Sequence, residues 1–264
     1  MTTIHPSTGD QSVGGVIDPS TIPPIRHAEA MRLAAMAYDR FADVVERIGP
    51  DDWARATDCE GWTVRDLVGH VVGAMRSAAS IREFAAEQRE IRRRLRADGG
   101  NQVDLMTQIQ IDRVADLGVA ELVAECRRLG PKAAAGRRRT PGPARRLVSF
   151  RVQMGAIDER WRLGYLIDVI LTRDAWLHRI DLCRAISAEP VLTADHDGRI
   201  VADVVAEWCR RHGRPVELHL GGPAGGRFSS GSGGTSIEID AVEFCRTVSG
   251  REPGDGLLAT DVPF

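Results

Sequence analysis

Between residues 25 and 186, apolar side chains return every three or four positions over long stretches, interrupted by pairs such as Gly49-Pro50 and Gly99-Gly100. That period fits the 3.6-residue turn of an α-helix and not the two-residue repeat of a strand, so this part of the chain must pack as helices, each burying one face. The first helix is expected at about 25–48, with Met31, Leu33, Phe41 and Val44 on its apolar side. Thr63 opens the second. Its hydroxyl and the carboxylate of Asp66 form a capping box that satisfies two backbone N–H groups. Val64, Leu67, Val68, Val71, Val72 and Met75 then make one stripe. Further helices are predicted near 80–97, 103–117, 119–135 and 160–186, with a proline-punctuated loop over 137–146 in which Arg137 to Arg139 are solvated.

After Pro190 the pattern changes. A helix near 198–212 leads into Val216-Glu217-Leu218-His219-Leu220, which alternates as a strand does, and short strands follow near 226–230 and 235–239. Asp240 with Glu243 caps a last helix. The expected fold class is therefore mainly α: a helical bundle over 25–190 followed by a small α+β C-terminal domain over 191–264. Residues 1–24, poor in large apolar side chains, form a flexible leader.

Charge narrows the partners. With 35 basic and 37 acidic residues the net charge is -2, which lacks the positive excess of a nucleic-acid binder and favours small molecules. No apolar run approaches the ~18 residues of a membrane span, and no basic segment followed by an apolar core precedes the first helix. The five cysteines, without a C-x-x-C pair, fit a reducing, cytoplasmic setting better than a disulfide framework. The spacing says nothing of oligomeric state.

The candidate chemistry lies on two helices. His70 falls at the edge of the second helix's apolar stripe, beside Leu67 and Ala74. Asp174 and His178, four apart, share one face of the last bundle helix, with Asp181 within ~60° of His178 on a wheel of ~100° per residue. A carboxylate and two imidazoles can fill three positions of a divalent metal and leave one open. Asp181 would orient the His178 ring or act as a further ligand. The competing reading is a structural one, in which His70 is a hydrogen-bonded core residue and Asp174 pairs with Arg173, Arg179 or an arginine from another helix. Cys59 is a conceivable soft ligand, though free cysteines more often serve as small buried hydrophobes. Trp62 and Trp176 would wall a pocket or pack in the core.

The run Cys59-Glu60-Gly61-Trp62-Thr63-Val64-Arg65-Asp66-Leu67-Val68-Gly69-His70, taken with Asp174-Ala175-Trp176-Leu177-His178-Arg179-Ile180-Asp181-Leu182, resembles the mycothiol-dependent maleylpyruvate isomerase family. That family belongs to the DinB-like superfamily of metal-binding four-helix bundles. The likeness spans about residues 25–187, and residues 240–264 also resemble the family's small C-terminal domain. It implies that His70, Asp174 and His178 ligate a divalent metal, usually zinc, and that the thiol of mycothiol takes the open position. It further implies cis–trans isomerisation by thiolate addition to an activated double bond, with a small-molecule thiol and a small electrophilic substrate as partners. Thiol S-transfer to another electrophile, or a non-catalytic metal-binding or regulatory bundle, would use the same residues. Arg65, Arg179 and Arg227 are candidates for binding substrate carboxylates. Asp174 stands where isomerases of the family carry Glu, shortening the reach by about 1 Å.

Overall fold

Apolar periodicity resolves into a bundle in the computed structural model, which describes residues 15–155 and 157–264. The helices are α1 (His27–Val45), α2 (Val64–Ala79), α3 (Ile81–Asp98), α4 (Gln102–Asp112), α5 (Val119–Arg138) and α6 (Gly142–Leu147). A hairpin of β1 (Ser149–Met154) and β2 (Ile157–Arg162) follows, then the single turn α7 (Leu163–Tyr165), a π-helical turn over Leu166–Ile170, and α8 (Leu171–Ala185). α1 packs against α5 and α8, and α2 against α5 and α8, giving the four principal helices. Small residues permit the closest approach: a Cβ at Gly136 of α5 would sit 2.0 Å from the Ala78 carbonyl oxygen of α2.

The capping box at α2 is formed as expected, with Thr63 accepting from the Asp66 N–H and Asp66 accepting from the Thr63 N–H. It fixes where α2 begins, and therefore which turn carries His70.

The chain then adds α9 (Arg199–His212), β3 (Val216–Gly221), β4 (Gly226–Ser230), β5 (Thr235–Asp240) and α10 (Ala241–Val248). The sheet order is β4-β3-β5, antiparallel on one side of β3 and parallel on the other. Val216, Leu218 and Leu220 point into the core, and Asp240 caps α10 through the Val242 and Glu243 N–H groups. The architecture is a mainly α four-helix bundle followed by a small α+β part.

α8 is the element that both halves share. Trp176, Leu177 and Ile180 pack into the core built with α9, α10 and the sheet, whereas Ala175, Leu182 and Cys183 pack into the core of α1, α2 and α5. Between these two cores Asp174, His178 and Asp181 share one strip of the helix, while Thr172, Arg173 and Arg179 are buried elsewhere on it.

Three local expectations are corrected. The helix predicted from residue 160 starts later, because Phe150, Val152 and Met154 alternate along β1 and pair with β2 around the small core of Val152, Ile157, Trp161 and Ile170. The segment predicted as a loop over 137–146 includes the end of α5 and the start of α6, whose prolines sit at its N-cap and first turn, where no N–H is required. Arg137 is buried, donating to the Tyr38 hydroxyl, the Thr172 hydroxyl and the Ile167 and Leu171 carbonyls. Of the leader, residues 1–14 lie outside the described residues. Ile17 bridges to Phe228 of β4, and Pro19 is buried.

Candidate metal centre

α2 and α8 run close enough to bring His70, Asp174 and His178 together, with one donor atom from each within 4.8 Å of the others. The Nε2 atoms of His70 and His178 lie 3.5 and 3.4 Å from the same Asp174 oxygen, Oδ1. The two imidazole rings are 5.0 Å apart, centroid to centroid, and nearly perpendicular at 77°. Both histidines are almost fully enclosed, at 5% and 7% exposure, while Asp174 keeps 22%, so the cluster meets solvent on its carboxylate side. The shorter acid reaches both rings.

Those separations carry chemical information. Charge-assisted hydrogen bonds from nitrogen to carboxylate close to about 2.7–2.9 Å, which these contacts do not. Two ligands of a tetrahedral ion, each held at about 2.1 Å, lie about 3.4 Å from one another. Both Asp174-to-imidazole spacings therefore match pairs of ligands on one small cation.

Charge balance points the same way. Nδ1 of His178 lies 3.1 Å from Asp181 Oδ2 and donates its proton there, since a carboxylate can only accept. Unless His178 is doubly protonated, its Nε2 then presents a lone pair to the Asp174 carboxylate, and a positive charge must separate them. With no cation, a proton does that work. Burial opposes ionisation of His178, but the facing Asp174 and Asp181 carboxylates outweigh it and push the imidazole well above its ordinary range. Burial likewise opposes the Asp174 charge, yet His178 and His70 hold its carboxyl below the usual carboxylate range. The Nδ1 of His70 is buried without a hydrogen-bond partner among the described residues. The donor set of two imidazoles and one carboxylate, with its carboxylate side toward solvent, fits a divalent ion with a vacant position.

A group invisible to sequence spacing completes the surroundings. Arg251, just past α10, grips Asp181: its Nε lies 2.9 and 3.0 Å from the two carboxylate oxygens, and its Nη2 2.9 Å from Oδ2. Against the cost of burial, His178 and Arg251 hold the Asp181 carboxyl down at about 2. No local pattern marks Arg251, which follows the left-handed Gly250 in an irregular segment.

The remaining candidates divide. Cys59 Sγ lies 3.5 Å from Asp181 Oδ2 and 3.7 Å from His178 Nδ1, on the far side of the ring from Asp174. Cys59, His178 and Asp181 thus form a second close group of metal-binding atoms. Trp62 lies against both rings, 5.1 Å from His70 and 6.0 Å from His178. Trp176 is instead a core residue. Its indole N–H donates to Asp197.

Neither arginine neighbouring Asp174 in sequence pairs with it. Arg173 is buried with Asp203 and Glu207, and Arg179 with Asp197. Arg65 donates to the Ala115 and Leu117 carbonyls. Arg227 lies on β4, in register with His219 of β3.

Comparison with known proteins places the chain. The family described as the mycothiol maleylpyruvate isomerase N-terminal domain matches residues 34–183, more than half of the chain, from within α1 to within α8, and this stretch carries His70, Asp174 and His178. This chain belongs to that family. Two solved structures of the mycothiol-dependent maleylpyruvate isomerase, one with a histidine-to-alanine mutation, share its fold at 16% identity. The unmutated one has a TM-score of 0.53 and covers 88% of this chain and 92% of its own; the mutant has 0.52, with 86% and 90%. Coverage of that extent takes the likeness into the C-terminal part, in keeping with a helical bundle followed by a small α+β region. A search of curated proteins found no significant match. Among the described residues no helix is long and apolar enough to cross a membrane.

Proposed function

We propose that this protein is a metal-dependent thiol enzyme in which His70, Asp174 and His178 hold a divalent cation, most simply zinc, and mycothiol is the thiol cofactor. The observation that carries the proposal is the pair of 3.4 and 3.5 Å separations between one Asp174 oxygen and two imidazole Nε2 atoms, longer than charge-assisted hydrogen bonds and close to the spacing of two ligands around one small cation. When bound, such a cation lowers the pKa of a coordinated thiol and keeps it as a nucleophilic thiolate at neutral pH.

The chain's own residues prepare that state. Asp181 accepts the Nδ1 proton of His178 and so fixes the tautomer that leaves Nε2 free as an electron-pair donor. Arg251 clamps Asp181 in the orientation this requires. Trp62 lies against both rings and limits the access of water to them. Asp174 brings one negative charge, so a dication bound by neutral histidines would keep a net positive charge for an anionic thiolate.

The reaction we assign is cis–trans isomerisation of a small electron-poor alkene, maleylpyruvate being the substrate named by the family. The cytoplasm, where low-molecular-weight thiols stay reduced, is the compartment this reading requires. The test is incubation of the purified protein with mycothiol and maleylpyruvate, following the alkene by absorbance and the thiol by titration. Isomerisation with no net loss of thiol supports the assignment. Stable thiol conjugates would redirect it to S-transfer, and inactivity of the metal-loaded protein toward a panel of electrophiles would reject a catalytic role.

A further inference from the structure

Just ahead of Asp174 and His178 the helical hydrogen bonding changes step. Between α7 and α8 the Leu171 N–H bonds to the Leu166 carbonyl, five residues back, and not to that of Ile167. Such a π-turn adds one residue to the helix and takes from the Ile167 carbonyl the donor that a regular α-helix would give it. A carbonyl turned toward the protein needs another partner. Arg137 supplies it from α5, with Nε 3.1 Å and Nη2 2.6 Å from the Ile167 oxygen.

The same guanidinium reaches on into the first turn of α8, where Nη1 lies 3.3 Å from the Leu171 carbonyl oxygen and Nη2 2.6 Å from the Thr172 hydroxyl. Arg137 is fully buried, and its hydrogen-bond partners among the described residues are all neutral, the Tyr38 hydroxyl included. A cation buried without a carboxylate is costly. Packing alone would be served by an apolar side chain, whereas acceptors spread over two successive turns call for the N–H groups of a planar fork.

Asp174 stands in that same first turn. Thr172 and Asp174 point about 200° apart around the axis, so Arg137 holds the turn from the α5 side while Asp174 faces His70 of α2. Upstream, Tyr165 is tied to Glu207 of α9, and Asp168 to Arg145 and His27. With those anchors fixed, losing the extra residue would turn α8 by about 100° and slide it about 1.5 Å. A side chain with a single methylene cannot make up that displacement. We infer that Arg137 is a positioning residue for the metal centre: by capping the Ile167 carbonyl it secures the π-turn, and the π-turn sets the rotation of α8 at which Asp174 faces both imidazoles. This rests on the reading of His70, Asp174 and His178 as metal ligands.

The test is titration of the chelator-stripped, full-length protein with cobalt(II), whose visible absorption reports its coordination. Arg137→Lys keeps the charge but not the fork, and should weaken cobalt binding about 10–100-fold and alter the absorption band. Adding Asp174→Glu, which lengthens the acid by one methylene, should recover about tenfold of that loss in the Arg137→Lys protein and bring no such gain in the parent. A residue that merely held the fold together would leave the effect of Asp174→Glu the same in both backgrounds. Should Arg137→Lys fail to fold by circular dichroism, the near-isosteric Thr172→Val, which removes one acceptor of the same guanidinium, should show the same dependence at about two- to threefold. Undiminished cobalt affinity in the folded variant, or an equal effect of Asp174→Glu in both backgrounds, would overturn the positioning role alone. A parent protein that takes up no cobalt would overturn the metal reading and this inference with it.

Discussion

Two aspartates near the junction of the helical and α+β regions are both surrounded by basic groups, and they differ in what those groups can give. Asp197, in the turn before α9, is completely buried and accepts from Arg179, Arg40, the Thr193 N–H and the Trp176 indole. Every lone pair has a proton donor. Asp174, by contrast, meets as its only ion-pair partners among the described residues two imidazole Nε2 atoms, at 3.4 and 3.5 Å. Burial opposes both charges, yet both carboxyls are held below their ordinary range, Asp197 by His196, Arg179 and backbone donors, and Asp174 by its histidines. A carboxylate saturated with donors is a clamp, here joining α1, α8 and the turn before α9. One that stands 3.4 and 3.5 Å from two imidazole nitrogens is spaced as the ligands of a shared cation would be.

Substitutions should separate these roles. His178→Ala should produce the largest functional change, abolishing metal retention and thiol-dependent turnover while the chelated protein remains folded; elemental analysis and circular dichroism would show it. Asp197→Ala should have the largest effect on stability, about 3–5 kcal/mol by urea unfolding, because it leaves the charges of Arg179 and Arg40 buried and unpaired. Asp174→Ala, measured with chelator, should cost about 1 kcal/mol or less. Equal losses for the two aspartates would erase the distinction drawn between them.

Arg251→Gln should act at one remove. Loosening Asp181, and through it the His178 ring, should weaken metal binding by about 10–100-fold without removing a ligand. The same substitution has a pH signature in the chelated protein. The Asp181 carboxyl is held at about 2 in the folded state against an ordinary 3.8, so its stabilising contribution is complete above 3.8 and disappears as pH falls toward 2. Loss of Arg251 should shrink that contribution, so variant and parent should differ most at neutral pH and converge in acid. This is the smallest of the expected effects, and parallel stability curves down to pH 2 would argue that Arg251 does not govern Asp181.

Local chemistry was the legible part of the sequence. The Thr63–Asp66 box fixed the start of α2 and therefore the position of His70, and the four-residue spacing of Asp174 and His178 placed both on one strip of α8. The strands of the C-terminal part followed from their alternation. Residues 149–170 were harder, because Trp161, Leu163, Leu166 and Ile170 fit one helical stripe as well as the strand, the single turn α7 and the π-turn they form. Arg137 was hidden by the neighbouring Arg138 and Arg139, since a run of like charge looks solvated until one member finds buried acceptors. Arg251 was out of reach for a different reason: its partner Asp181 is 70 positions away, and no periodicity links an irregular segment to a helix face.

The most direct test of the central claim is metal content of the purified protein, paired with mycothiol titration of the metal-loaded and chelated forms. The account predicts one divalent ion per chain, lost in His70→Ala and His178→Ala, and thiol binding that depends on the ion. A metal-free protein that cannot be loaded, or one that binds mycothiol equally with and without metal, would contradict it.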